Sequence, residues 1–476
     1  MSDISGGEDL GRLAALARPR VASPLHPSFA PAFLADRAFR ALVAESGRGV
    51  PLRIALERGG GSVSVYETVC FAEDAPGAAL NLPYAERLVK FLLWQRGGWR
   101  VVVGGPPSIA EHLRRVYAAA GARAFDVDFM AGVYEQPFTV ESVGAESAPA
   151  ARESTQPLGG HFAGCRIGFD LGASDRKVSA VVDGEAVYTE EVNWNPRDSA
   201  DPEYHYAEIN AALKSAAAHL PRVDAIGGSS AGVYIDNRPR VASLFRGIPR
   251  DLFEQRTARL FLDLQREWGV PLVVVNDGEV TALAGAMMLK DGAVLGMALG
   301  SSEAGGYVTP SGEITTWLNE LAFCPVDYDP TAAADEWSGD RGCGVQYFSQ
   351  QAVFRLAPVA GIPVDESLGL ADRLKSVQRL LEDGDERARR IWEAIGIYVG
   401  YGVAHYADFY DLRHVLVLGR VTSGQGGGII LAKAREVLEA EDPSLAARLH
   451  LHLPDESSRR VGQAVAAASL PAVTGS

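Results

Sequence analysis

IGFDLGASDRK, residues 167–177, is the stretch on which the fold turns. A short apolar run ends on Asp170, the chain bends through Gly172 and Ser174, and a second strand resumes at Lys177. A turn of small residues lets backbone N–H groups approach anionic oxygens, and a carboxylate at a strand end can hold a hydrated divalent cation. Strand, acidic end and small-residue turn together have the shape of a phosphate-binding hairpin.

Three further stretches continue the pattern in order along the chain. Residues 273–286, VVVNDGEVTALAGA, form a β-branched strand that ends in Asn276 and Asp277 and runs into a helix of small residues. A carboxylate in that place can take a proton from an attacking hydroxyl, or it can simply cap the helix, a frequent use of Asp. Residues 298–306, ALGSSEAGG, supply a second stretch of small residues. Residues 415–428, VLVLGRVTSGQGGG, are a buried strand running through Gly419 into a glycine-rich helix start. Between the first two lies AIGGSSAGVYIDNRP, residues 225–239, which contains Gly232.

Strand-like and helix-like segments alternate from about residue 161 to the end, so the fold class is α/β. Helical periodicity is expected over residues 204–219, 252–268 and 388–410. Residues 141–160, ESVGAESAPAARESTQPLGG, replace apolar periodicity with Ser, Ala, Pro and Gly and predict a linker. Residues 1–140 are then expected to be a separate small α/β domain, with a hairpin at 51–57 and 62–71, a helix at 84–95, a strand at 99–103 and a helix at 108–120. The main domain is expected to occupy residues 161–476.

A chain of 476 residues with 47% hydrophobic content can bury large cores, which favours a globular enzyme. Its formal net charge of -15 and lack of a basic run argue against nucleic acid as a partner. Cys70, Cys165, Cys324 and Cys343 are widely spaced, as expected of buried thiols in a reducing compartment. The opening residues lack the apolar core of a leader, and no segment is long and apolar enough for a bilayer, so a cytoplasmic protein with no membrane partner is expected.

The ordered motifs resemble those of the ROK (repressor, open reading frame, kinase) sugar kinases, within the sugar kinase, heat-shock ATPase and actin superfamily. The resemblance spans residues 166–469 and implies a two-lobed actin-like fold, preceded here by the small α/β domain. It implies ATP and Mg²⁺ as cofactors and a sugar-like or cyclitol-like acceptor, and a homodimer is expected. In that frame Asp277 is the base, and Asp170 holds Mg²⁺ through water. Gly172, Ser174, Lys177, Gly300, Ser301, Ser302 and Gly419 contact the nucleotide, and Asn276, Gly232 and Glu320 contact the acceptor.

The family pattern also breaks: Ala173 replaces the second glycine of the first phosphate motif, the final Glu that follows the Asn-Asp pair in the family is absent, and two larger departures follow. Ser302 and Ala304 stand where the second phosphate motif usually has glycine. The zinc motif of many ROK kinases, G-E-x-G-H followed by C-x-C-G-x-x-G-C-x-E, becomes NELAF at 319–323 and EWSGDRGCGV at 336–345. Phe323, Glu336 and Ser338 replace ligands, so no zinc site is expected. Phe323 either fills the volume left by the metal or lines, with Val345 and Trp317, a pocket for a less polar acceptor. A non-catalytic ligand-binding or assembly protein, or an ATPase acting on a partner protein, is the competing expectation.

Overall fold

In the computed structural model, residues 3–153, 155–156, 159–172, 175–454 and 456–473 are described; for 3–8, 155–156 and 456–461 only the backbone is. The chain forms two compact units. One comprises Met1–Ser154, Met297–Ala304 and Trp317–Leu453; the other comprises Thr155–Gly296, Gly305–Thr316 and Pro454–Ser476.

The second unit is built on a five-stranded sheet. Its strands run in the order Leu272–Asn276, Ala225–Ser230, Cys165–Leu171, Asp175–Val182, Glu185–Asn193. The first three are parallel, and the last two fold back antiparallel. The parallel strands are apolar on both faces, as a sheet covered on both sides requires. On one side Ile209 and Leu213 of the helix Pro202–Ala217 and Phe261 and Leu264 of the helix Leu260–Trp268 pack on Ile167, Phe169 and Val178. The helix Glu456–Ala468 lies against Cys165–Leu171 and Ala225–Ser230. All three parallel strands end on the same edge, and that edge carries Asp170, Ser229, Ser230 and Asn276.

The first unit contains a four-stranded sheet in the order Val63–Phe71, Gly49–Glu57, Arg100–Gly104, Thr139–Val143. The expected hairpin, helix and strand of residues 49–104 are present, with the helix running Asn81–Arg96. The expected helix at 108–120 is shorter, Pro107–Val116, and a further helix, Ala124–Tyr134, follows.

Two features differ from the reading by composition. Residues 141–143 belong to a strand paired in parallel with Arg100–Gly104, and Arg152 exchanges both backbone hydrogen bonds with Val63. The expected linker is therefore tied to this sheet at its start and at Arg152. The front 154 residues also share a unit with Trp317–Leu453 rather than standing alone. The helix Asn81–Arg96 shows why: it buries Arg87, Lys90, Gln95 and Arg96 as well as its apolar face, so nearly its whole circumference is covered. Opposite it, the long helix Glu386–Tyr406 is buried along most of its length and packs closely on Gly426–Glu441. A side chain at Gly396 or Gly400 would collide there with Ile430, Lys433, Ala434 or Val437.

Candidate functional site

Asp170 sits one residue before the end of its strand, paired in register with Ser229 on one side and Lys177 on the other. Ser229 Oγ donates to Asp170 Oδ1 at 2.7 Å, and Lys177 Nζ lies 3.7 Å from Asp170 Oδ2. The lysine is shared, with Asp175 Oδ1 at 2.7 Å. Burial pushes the Asp170 carboxyl above its ordinary range, while the Ser229 hydroxyl and the Lys177 charge pull it back. Ser174 lies outside the described residues. Gly172 closes the turn with its N–H on Asp175 O at 2.9 Å, and its carbonyl accepts from Trp194 Nε1 at 2.9 Å. Its backbone groups are thus already used in the hairpin.

Asn276 and Asp277 divide two tasks. Asn276 is the N-cap of the helix Asp277–Leu289: its Oδ1 accepts from Gly278 N at 2.7 Å while its Nδ2 donates to Gly232 O at 2.8 Å. Gly232 has φ +125, and a Cβ there would strike Val241 O, so the position demands glycine. With the cap filled, Asp277 stands in the first helical turn. Its Oδ1 accepts a 3.0 Å bond from Gly278 N. Burial, then the charge of Asp170, pushes the Asp277 carboxyl up to about 6. The coupling places the two acids in one electrostatic neighbourhood. Tyr234, whose hydroxyl is 2.6 Å from Ser230 Oγ, also feels the Asp277 charge.

Residues 305–306 press directly on this helix start. A Cβ on Gly278 would fall on Gly305 O, and one on Gly306 would fall on Gly278 O. Both glycines are needed for the strand Glu303–Val308 to pass there. Ser229, Ser230 and Tyr234 were not singled out from the sequence. The paired serines following a short apolar strand, at the height of Asp170, are the signal that marks them.

Within the first unit, Ser301 and Ser302 are exposed. Gly300 N donates to Ser302 O at 3.0 Å and its carbonyl accepts from Gln350 N at 2.9 Å. Gly419 has φ +104 and lies against Leu299. The glycines that follow serve packing: a Cβ on Gly426 would meet Trp392 and one on Gly427 would meet Leu453, while Gly428 faces open space. Glu320 is half-buried, its N–H on Trp94 O at 3.0 Å. Glu303, next to the two serines, is 3% exposed. Tyr406 OH donates to one of its oxygens at 3.1 Å, and the other has no hydrogen-bond partner among the described residues. Burial pushes this carboxyl up to about 8.

Phe323 stacks on Trp94 with ring centroids 4.1 Å apart and lies beside Phe125 and Phe129. It fills an aromatic cluster. Ser338 closes a local turn on Asp335, and Cys343 is buried. Among the described residues no three His, Cys, Asp or Glu side chains are grouped to hold a metal ion. Because Phe323, Glu336 and Ser338 stand where the family's ligands would be, purified protein is expected to contain no stoichiometric zinc; elemental analysis finding one tightly held zinc per chain would refute this.

Asp170 and Asp277 stand at the ends of two parallel strands of the five-stranded sheet that are separated by the strand Ala225–Ser230. No family model matches the sequence, and no curated protein matches it. Solved structures do. The ROK hexokinase from Thermus thermophilus superposes with a TM-score of 0.50 at 20% identity, covering 64% of this chain and 97% of that one. The fold is that of the ROK proteins. A ROK family transcriptional regulator, a homolog of the E. coli MLC protein, superposes with a TM-score of 0.50 at 18% identity, covering 68% of this chain and 82% of that one. The ROK fold is the two-lobed actin-like α/β fold expected from the motifs. No helix among the described residues is long and apolar enough to cross a membrane.

Proposed function

We propose that the protein transfers the γ-phosphoryl group of ATP to a hydroxyl of a sugar-like or cyclitol-like small molecule. The observation that carries this reading is the division of labour between Asn276 and Asp277. Because Asn276 caps the helix, Asp277 is not held there by a structural duty, and burial beside Asp170 brings its carboxyl to about 6. A general base works best when its pKa lies near the operating pH. Asp277 takes the proton of the acceptor hydroxyl as its oxygen attacks phosphorus. The hydroxyl's O–H bond breaks, the new O–P bond forms, and the bond to the leaving ADP oxygen opens.

Asp170 fits a Mg²⁺ site: a carboxyl raised by burial, with Ser229 and the shared Lys177 as its partners, gains from a dication nearby. Bound through water, that ion would neutralise phosphate charge. Lys177 and the exposed Ser301 and Ser302 take phosphate oxygens, since the backbone groups of Gly172 and Gly300 are already bonded. Gly419 lies along the adenosine, and Glu320, Asn276 and Gly232 orient the acceptor. Phosphoryl transfer of this kind depends mainly on positioning and electrostatics.

The likeness to a regulator as well as to a hexokinase, and the side chains at Ser302 and Ala304, favour a non-catalytic ligand-binding protein as the second reading. A thermal-shift and coupled-assay panel of ATP, Mg²⁺, hexoses, amino and deoxy sugars and cyclitols separates the two. A ligand at 100 times its Kd stabilises by about 2.7 kcal/mol. Stabilisation by ATP plus turnover with one acceptor supports the kinase. Stabilisation by an acceptor alone, with no ATP binding, overturns it.

A further inference from the structure

Residues 319–343 carry Glu320 and hold little regular structure beyond the short turn Leu321–Phe323. Such a segment cannot fix its own shape, yet Asn319 is 2% exposed and held at a φ of 52°. What fixes it comes from the front of the chain. The helix Asn81–Arg96 ends with carbonyls that have no partner inside the helix. Trp94 O takes the N–H of Glu320 at 3.0 Å and Gln95 O takes that of Asn319 at 2.9 Å. Leu93 O takes Gly97 N at 2.8 Å and Arg96 O takes Arg58 Nη1 at 3.3 Å, so all four are satisfied. Tyr410 OH completes the hold on Asn319 through its Oδ1 at 2.8 Å.

The far end of the segment is fixed by charge. Lys90, from the same helix and fully buried, places Nζ 2.5 Å from Asp340 and 3.0 Å from Asp126. Trp94 Nε1 donates to Asp126 at 2.9 Å while its ring carries Phe323. Arg123 bridges Asp340 to Glu86, and Arg87 donates to Arg341 O at 3.1 Å. Burying these ions is tolerable only when each meets its partners, so the helix can seat in one register alone. A slip of one turn would strand Lys90 and release Asn319 and Glu320 together.

We propose that Lys90 is a positioning residue for the acceptor: the buried ion cluster it centres sets the register of the helix Asn81–Arg96, whose end holds Glu320 in place. The inference rests on the acceptor role given to Glu320, and it gives the front 154 residues a part in substrate selection. It makes the front segment the fixed wall on which residues 319–343 are hung. A small misplacement of a substrate-orienting group costs up to about 10²-fold in rate or affinity.

The test replaces Lys90→Met, which keeps the stem and removes the charge, and compares full-length proteins by hydrogen exchange and kinetics. Expected are faster amide exchange in residues 319–343, by about tenfold or more, and unchanged exchange in residues 165–296. With the best acceptor of the sugar and cyclitol panel, the acceptor KM should rise about tenfold or more while the KM for ATP stays within about threefold. Unchanged exchange in residues 319–343 would overturn the proposal, as would looser exchange with an unaltered acceptor KM. Should Lys90→Met not fold, Trp94→Phe, which keeps the ring and loses the bond to Asp126, should give a weaker shift of the same kind, and no shift refutes it. If wild-type protein transfers phosphate to nothing, the kinase reading fails. The exchange result then decides the register claim alone.

Discussion

Replacing Asp277 with Asn should lower kcat for phosphoryl transfer by about 10² to 10⁴-fold and leave nucleotide affinity nearly unchanged. Asn keeps the shape of the side chain and can still accept the bond from Gly278 N, but it cannot take a proton. Asn276 continues to cap the helix, so the fold has no reason to suffer. The wild-type rate should also fall as pH drops through about 6, where burial and Asp170 have placed the Asp277 carboxyl. Steady-state kinetics paired with nucleotide titration decide the matter. An Asn variant that keeps most of its activity would strip Asp277 of the role.

Stability should fall as pH rises from about 6.5 to about 8, and Glu303→Gln should remove most of that fall. A carboxyl whose folded pKa lies above its unfolded value binds more protons when folded. Its contribution is complete below the unfolded pKa and is lost as pH climbs through the folded one. Glu303 at about 8 and Asp36 at about 7, both raised first by burial, titrate across this window. His26 and His405, lowered by burial to about 4 and about 3, act in the opposite sense only below about 6.5, where an unfolded imidazole charges. At 1.36 kcal/mol per pH unit, Glu303 alone accounts for about 2 kcal/mol of the fall between pH 6.5 and 8. Urea midpoints at pH 6.5 and 9 measure it. Equal losses in the wild type and the Gln variant would show that Glu303 is not the source.

What the sequence made legible was local. Asp170 and Asp277 declare themselves because each closes an apolar strand and opens a turn or a helix, a pattern written within a dozen residues. The parallel pairing that sets Asp170 beside Ser229 joins residues 59 apart, and only the serine pair hints at it. Lys90, Arg87 and Gln95 look like the solvated face of a helix, since their partners Asp340, Arg341 and Phe409 lie hundreds of residues downstream. Composition predicts a linker over residues 141–160, yet residues 141–143 and Arg152 pair with strands: small polar residues mark loops on average, but strand pairing depends on what stands opposite. Glu303 was passed over because its small neighbours invite a phosphate reading, whereas its burial comes from Tyr406 and the chain around Gly344.

The interleaving of the units bears on how the protein is made. Residues 1–154 leave the ribosome well before the segment Trp317–Leu453 that completes their unit, which begins roughly 160 residues later. At about 5–20 residues per second, that is a wait on the order of 10–30 s, during which the other unit's central strands are emerging. Through that interval the nascent helix Asn81–Arg96 has neither Asp340 for Lys90 nor Phe323 for Trp94. Until the later segment is made, the polar and aromatic groups that this helix buries in the finished protein stay exposed to aggregation.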